Sequence, residues 1–275
     1  MRKRYEEMTT ADLAAASDLA SAVAVLPIAA VEQHGPHLPL GTDAMLADAM
    51  VETVLSRLGD ARRVTFLATA RIGKSDEHAH FPGTLKHDWR TAIDAVTEIG
   101  ASLAASGLRR LVIVNAHGGN TPVMDTAALE LRRVHKMLVG TCSWLRFGYP
   151  PGLLPEVEIA AGIHGGAVET ALMLHFRPDL VRTEAIANFP SLQSELETQA
   201  KRLRAHGRLG FGWMADDLNP SGVVGDARLA TAEIGRAIAE YQADAFIDFL
   251  DDVAAFDLER LSAGPRPHGA EGDRT

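Results

Sequence analysis

Three apolar runs constrain this chain more than any other feature. "AVAVLPIAAV" (22–31), "RRLVIVN" (109–115) and "KMLVGTCSW" (136–144) carry no in-out alternation. Continuous apolar character over so few residues marks strands buried on both faces, as in parallel sheets. The spacing predicts a strand over 23–31 and a helix over 43–58. It then predicts a strand over 63–73, a helix from Trp89 to a stop at Gly107, and a strand through 109–115. Asn120 or Thr121 should cap the next helix, with Pro122 in its first turn. Further on, 191–206 reads as a helix, 207–226 as a loop and 227–255 as a long amphipathic helix. Strand and helix in alternation imply right-handed βαβ units: an α/β fold whose largely parallel sheet lies between two helical layers. With 47% hydrophobic residues, 275 residues suffice for one large core. We expect one catalytic domain over 1–260 and a disordered tail over 261–275.

The bulk numbers exclude several function classes. Twenty-seven Lys and Arg against 36 Asp and Glu give a net charge of −9. No strong basic field is available for nucleic acid or an acidic membrane surface. The single cysteine, Cys142, has no disulfide partner and lies in an apolar stretch, so it reads as a buried structural thiol. "MRKRYEEMTT" lacks an apolar segment after its basic residues, and no run is long enough to span a bilayer. The expectation is a cytoplasmic protein acting on a small molecule.

Two of the apolar runs end in chemistry. After 22–31 comes "EQHGPHLPLGTD", and after 109–115 comes "AHGGN". In parallel sheets ligands gather beyond the carboxyl ends of strands, so both turns can face one crevice. Glu32 and His34, two positions apart in extended chain, project to the same side. Asp43 alone would be a helix-start carboxylate, and His117 alone a structural histidine. "HGGAVETA" adds His164 and Glu169 at a loop-to-helix junction, where Glu169 alone would be a first-turn acid. Glu32, His34, Asp43, His117, His164 and Glu169 together supply oxygen and imidazole without thiolate, a set that suits zinc, manganese or iron(II). They over-supply one ion, and two divalent ions sharing a carboxylate fit better. "GKSDEHAHFPGTL" (73–85) offers Ser75, Glu77, His78 or His80 as substrate contacts. Its Gly-Lys-Ser string is not a phosphate loop, because Ala68 stands where the earlier glycine is needed.

Five pieces, "EQHGPHLPLGTD", "SDEHAHFPGTL", "NAHGGN", "HGGAVETALML" and "GVVGDARLATAEIGRAI", resemble the creatininase (creatinine amidohydrolase) family in order and spacing, covering most of 23–240. The resemblance implies a three-layer α/β/α sandwich, a binuclear metal centre, a homo-oligomer that is often a hexamer, and hydrolysis of a C–N bond in a cyclic or linear amide. It also implies that Glu32, Asp43 and His117 hold one metal and His34, Asp43 and Glu169 the other. Zinc comes first, with manganese or iron(II) as alternatives. His164 matches the catalytic histidine, and Ser75 a residue near the substrate. Creatinine-cleaving members have Tyr-Glu where this chain has Gly118 and Gly119, so creatinine is not the expected substrate. The Gly-Gly form resembles relatives that act on formamides, on a peptide precursor or on cyclic sugar ketones. Gly118 and Gly119 are accordingly expected beside the substrate, and Trp144 is a candidate for an aromatic pocket wall. The alternatives left open are a ring-opening hydrolase or peptidase on the same metals, and a non-catalytic binding protein.

Overall fold

The computed structural model describes residues 1–207 and 209–261. Its helices are α1 Thr10–Ala15, α2 Thr42–Arg57, α3 Trp89–Ala105, α4 Thr121–His135, α5 Glu156–Ala161, α6 Ala167–Phe176, α7 Leu192–Gln199, α8 Ala215–Leu218 and α9 Ala232–Ala255. Its strands are β1 Val23–Ile28, β2 Val64–Phe66, β3 Arg110–Asn115, β4 Leu138–Ser143, β5 Asn188–Phe189 and β6 Gly225–Asp226. The first four form an all-parallel sheet in the order β2-β1-β3-β4. A two-stranded antiparallel ribbon, β5-β6, lies apart from it.

Alternate side chains of the central strands feed two separate apolar layers, which explains why the runs do not alternate. Val23 and Val25 of β1 and Val112 and Val114 of β3 pack with α2, α6 and α9 through Met50, Val54, Leu172, Ile238 and Phe246. Ala24, Leu26 and Ile28 of β1 and Leu111 and Ile113 of β3 pack with α3 and α4 through Val96, Leu103, Val123 and Leu131. Each fully buried Leu, Ile or Val contributes roughly 1.5–3 kcal/mol, so both layers favour this register. The result is the expected three-layer sandwich.

Several boundaries differ from the sequence reading. β1 stops at Ile28 rather than 31, because the chain then bends into a loop, though Val31 still pairs singly with Leu85. The strand read over 63–73 shrinks to three residues, with Ala70 rejoining the sheet by one bridge to Ile28. The helix read over 191–206 ends at Gln199. The loop read over 207–226 contains α8 and β6. The long helix begins at Ala232, behind a short 3-10 turn over Ala227–Leu229. From residue 262 onward the tail lies outside the described residues. Trp144 is no pocket wall: it is buried against Phe246, ring centroids 4.9 Å apart, inside the core. Cys142 is buried, and burial pushes its thiol well above the usual range. Among the described residues no helix is long and apolar enough to cross a membrane.

Candidate metal centre

β1 and β3 are neighbours, yet the helices that follow them cover opposite faces of the sheet. The crevice between their carboxyl ends is the switch point where open α/β sheets gather ligands. Beyond β1, the amide of Glu32 donates to the carbonyl of Leu40 (2.8 Å), closing the loop that carries Glu32 and His34. Gly35 turns that loop with φ +70°, a left-handed conformation suited to glycine. Beyond β3, Asn115 accepts from the His117 amide (3.0 Å), a local turn that aims the histidine inward. Asn120 heads α4 but does not cap it with its side chain. It accepts from the Lys74 amide (2.9 Å) and donates to the Ala29 carbonyl (3.0 Å), tying three site segments together.

Three ligand sets result, each with one donor atom per residue inside 4.8 Å: Glu32, Asp43 and His117; His34, Asp43 and Glu169; and Glu32, His34 and His164. All are buried except His164, which is half-buried. His117 Nδ1 stands 3.1 Å from Glu32 Oε1 and 3.4 Å from Asp43 Oδ2. His34 Nε2 stands 3.1 Å from Asp43 Oδ1 and 3.8 Å from Glu169 Oε2. His34 Nδ1 lies 3.1 Å from the Glu32 carbonyl, which can only accept. Nδ1 therefore donates to that carbonyl, which leaves Nε2 as the nitrogen facing the carboxylates and available to a cation.

The electrostatics test whether a cation fits. Both Glu32 oxygens and Asp43 Oδ2 are buried with no hydrogen-bond partner, although imidazole nitrogens approach Glu32 closely. Orphaned buried carboxylate oxygens are costly and call for a positive ligand. Burial alone would lower the pKa of His34, yet Asp43, Glu169 and Glu32 overcome it and raise it to about 9. His117 is raised well above its usual value against the same burial, chiefly by Glu32 and Asp43. Burial and the neighbouring carboxylates push Glu169 up to about 7 even though His34 opposes them. Three crowded carboxylates thus draw protons onto their neighbours, and a divalent cation would replace those protons. The residues fit such an ion.

His164 differs. Burial, with His34 and His78 nearby, holds it well below its usual pKa and therefore neutral. Its Nε2 donates to the Gln33 carbonyl (2.8 Å), which leaves Nδ1 free, 3.7 Å from Glu32 Oε1. Its backbone pairs with Val224 in both directions (3.3 and 2.7 Å), fastening the "HGG" segment to the late glycine-rich piece. The amide of Gly165 donates to Glu169 Oε2 (2.6 Å).

The other sequence candidates separate here. Ser75 is fully buried, with Oγ 3.3 Å from His117 Nε2. Gly118 and Gly119 line a cavity of about 520 Å³ beside His117 and His164, with Lys74, Glu77, His78 and the segment His206, Phe211, Gly212, Trp213. His80 is turned outward against Asp216. His37 sits behind the site, with Nε2 2.9 Å from Thr170 Oγ1 and its ring stacked on Phe189.

Gln33 was not singled out from the sequence. Its amide nitrogen reaches His78 Nδ1 (2.8 Å) and the Gly222 carbonyl (3.0 Å), while its oxygen accepts from Gly35 (2.9 Å). Lying between Glu32 and His34 was its only signal. The buried Glu158 was also missed, since nothing in its local sequence marks it.

Comparison with known proteins gives one consistent relationship. The family profile described as "Creatininase: Creatinine amidohydrolase" matches residues 6–250. The mycofactocin precursor peptide peptidase of Mycobacterium tuberculosis is 34% identical over 220 residues, 78% of each chain. The creatinine amidohydrolase of Pseudomonas putida is 32% identical over 200 residues, 67% of this chain and 75% of its own. A solved mutant creatininase described as Zn-Zn type superposes with a TM-score of 0.73 at 26% identity, covering 93% of this chain and 99% of its own.

Proposed function

The chain belongs to the creatininase family, and on that premise we propose that it is a metal-dependent hydrolase cleaving an amide C–N bond. The observation that carries this reading is the convergence of Glu32, His34, Asp43, His117 and Glu169, with orphaned carboxylate oxygens, at the switch point of the sheet. Glu32 and His117 would hold one divalent ion, His34 and Glu169 a second, and Asp43 both. Zinc is the first choice, with manganese or iron(II) as alternatives for one position. Such ions supply an activated water near neutral pH and polarise a carbonyl.

The remaining work falls to this chain's side chains. His164, neutral and held by the Gln33 carbonyl through Nε2–H, presents Nδ1 to accept a proton from the attacking water. The same nitrogen then passes it to the leaving amine. The open space at Gly118, where an added Cβ would meet nothing within 4 Å, would admit a substrate with chain on both sides of the scissile bond. A peptide or extended amide is therefore favoured over creatinine, in keeping with the mycofactocin relative. Ring opening of a cyclic ketone on the same ligands is the second reading. Residues 1–260 are proposed to act as one catalytic unit, assembled as a homo-oligomer.

Two measurements test the proposal. Elemental analysis should find about two equivalents of transition metal per chain; none would sink the reading. His34→Ala or Glu169→Ala should lose metal and turnover together. His164→Ala should keep the metal and lose ~10²-fold or more in rate. The rate is read on a panel of short peptides, formamides, lactams and cyclic polyol ketones. Full turnover in His164→Ala would remove its assigned role.

A further inference from the structure

We infer that Glu77 is a positioning residue for His117, seated in the space that the absent side chain at Gly119 leaves free. The inference rests on the reading of the His117 cluster as a metal site. A Cβ added to Gly119 would lie 2.0 Å from Glu77 Oε1, 2.4 Å from His117 Nε2 and 2.7 Å from the Lys74 carbonyl. The same atom on Gly118 would meet nothing within 4 Å. The crowding is therefore specific to position 119, where Glu77 fills the volume.

Glu77 is held at both ends of its carboxylate. Oε1 stands 3.4 Å from His117 Nε2, and Oε2 accepts from Lys74 Nζ at 2.9 Å. Its side chain is 13% exposed, so this is not a solvated surface pair. His117 Nε2 also lies 2.9 Å from the Lys74 carbonyl, which can only accept. Nε2 thus carries a hydrogen, and Nδ1 is the nitrogen that faces Glu32 and Asp43 and would bind a cation in place of its proton. The carbonyl fixes the tautomer. Ser75 Oγ (3.3 Å) and Glu77 Oε1 (3.4 Å) flank the same nitrogen, and Glu77 supplies both a charged acceptor and the wall that keeps the ring from turning into the cavity at Gly118. Partners of this kind, bonded to the far nitrogen of a ligating histidine, typically govern metal affinity by 10–100-fold.

The test uses cobalt(II) as the probe on the full chain, stripped of metal and reloaded. Affinity is read by competition with a chromophoric chelator, and ligand geometry by the visible d–d spectrum. Glu77→Ala should weaken cobalt binding by roughly 10–100-fold and alter the spectrum. Glu77→Gln keeps an acceptor oxygen and the volume, and should stay within a few-fold of wild type. Lys74→Met, which releases the far end of the carboxylate, should fall between them. A folded Glu77→Ala protein with wild-type affinity and spectrum overturns the inference. Equal losses in Ala and Gln with unchanged spectra overturn it as well, since that pattern is general destabilisation. If Glu77→Ala does not fold, Lys74→Met decides, and wild-type cobalt behaviour there overturns the inference. A wild-type protein that takes up no cobalt removes the metal-site reading and this inference together. Normal wild-type uptake with an indifferent Glu77 removes only the latter.

Discussion

Two adjacent glycines illustrate how much a single position decides. Gly118 opens onto the cavity with free space around it, whereas Gly119 is pressed against Glu77, His117 and the Lys74 carbonyl. Gly119→Ala should cost about 1–3 kcal/mol through overpacking and should displace His117. Gly118→Ala should change stability by less than ~1 kcal/mol. Urea unfolding of the two variants separates them, and equal midpoints would contradict the geometry. Glu32, His34, Asp43, His117, His164 and Glu169 were legible in the sequence as a group. Each lies within three residues of a glycine, in a short polar turn after an apolar run or at a helix start. Gln33 and Glu77 were not assigned their contacts. Those contacts depend on distances among residues 33, 77, 117, 119 and 222, and no local spacing encodes such distances.

At the scale of elements, the loop after β1 and the start of α6 are joined by buried groups that are not themselves candidate ligands. His37 bonds Thr170 of α6 and is held to a pKa of about 4, first by burial and then by His34, against the Gly165 carbonyl. In the folded protein it is neutral over a range where the unfolded chain takes up a proton. Stability from this group is unaffected above about pH 6.5, falls as the pH drops towards 4, and levels off below that. The full loss is on the order of 3 kcal/mol. A His37→Gln variant should show a flatter stability–pH curve between pH 6.5 and 4, measured by urea midpoints; an unchanged slope would refute the linkage.

Glu158 of α5 accepts from the amides of Ala167 (2.9 Å) and Asp226 (2.8 Å), clamping the start of α6 to β6. Its carboxylate also faces the positive end of the α6 dipole. Glu158→Ala should cost about 2–4 kcal/mol by stranding both amides, with a smaller loss in Glu158→Gln. The central elements were readable because periodicity and burial on both faces are local properties. The β5-β6 ribbon was not, because each strand is two residues long and exists only through its partner.

On the scale of the whole molecule, the sheet order places the metal-capable residues where the helical layers part, and the buried charge there should make stability respond to a bound cation. A bound ion at 100 times its dissociation constant would add about 2.7 kcal/mol. For a chain of this size that corresponds to roughly 5–10 °C in melting temperature. Chelation should produce a fall of that order and release no further heat-stable fraction; an unchanged melting curve would speak against a metal in the resting protein. The overall α/β/α arrangement was visible in the sequence through its apolar runs, while the cavity wall was not, since it is assembled from segments over a hundred residues apart. That wall has a consequence for descent. The stretch that lines the cavity through Phe211 and Trp213 continues into Gly222 and Val224, which hold Gln33 and His164. If the proposed roles hold, the cavity wall and the seat of His164 are inherited together. A lineage that redraws this stretch to suit a new compound also reseats its base, so new specificities in this fold should arise with altered pH optima rather than alone.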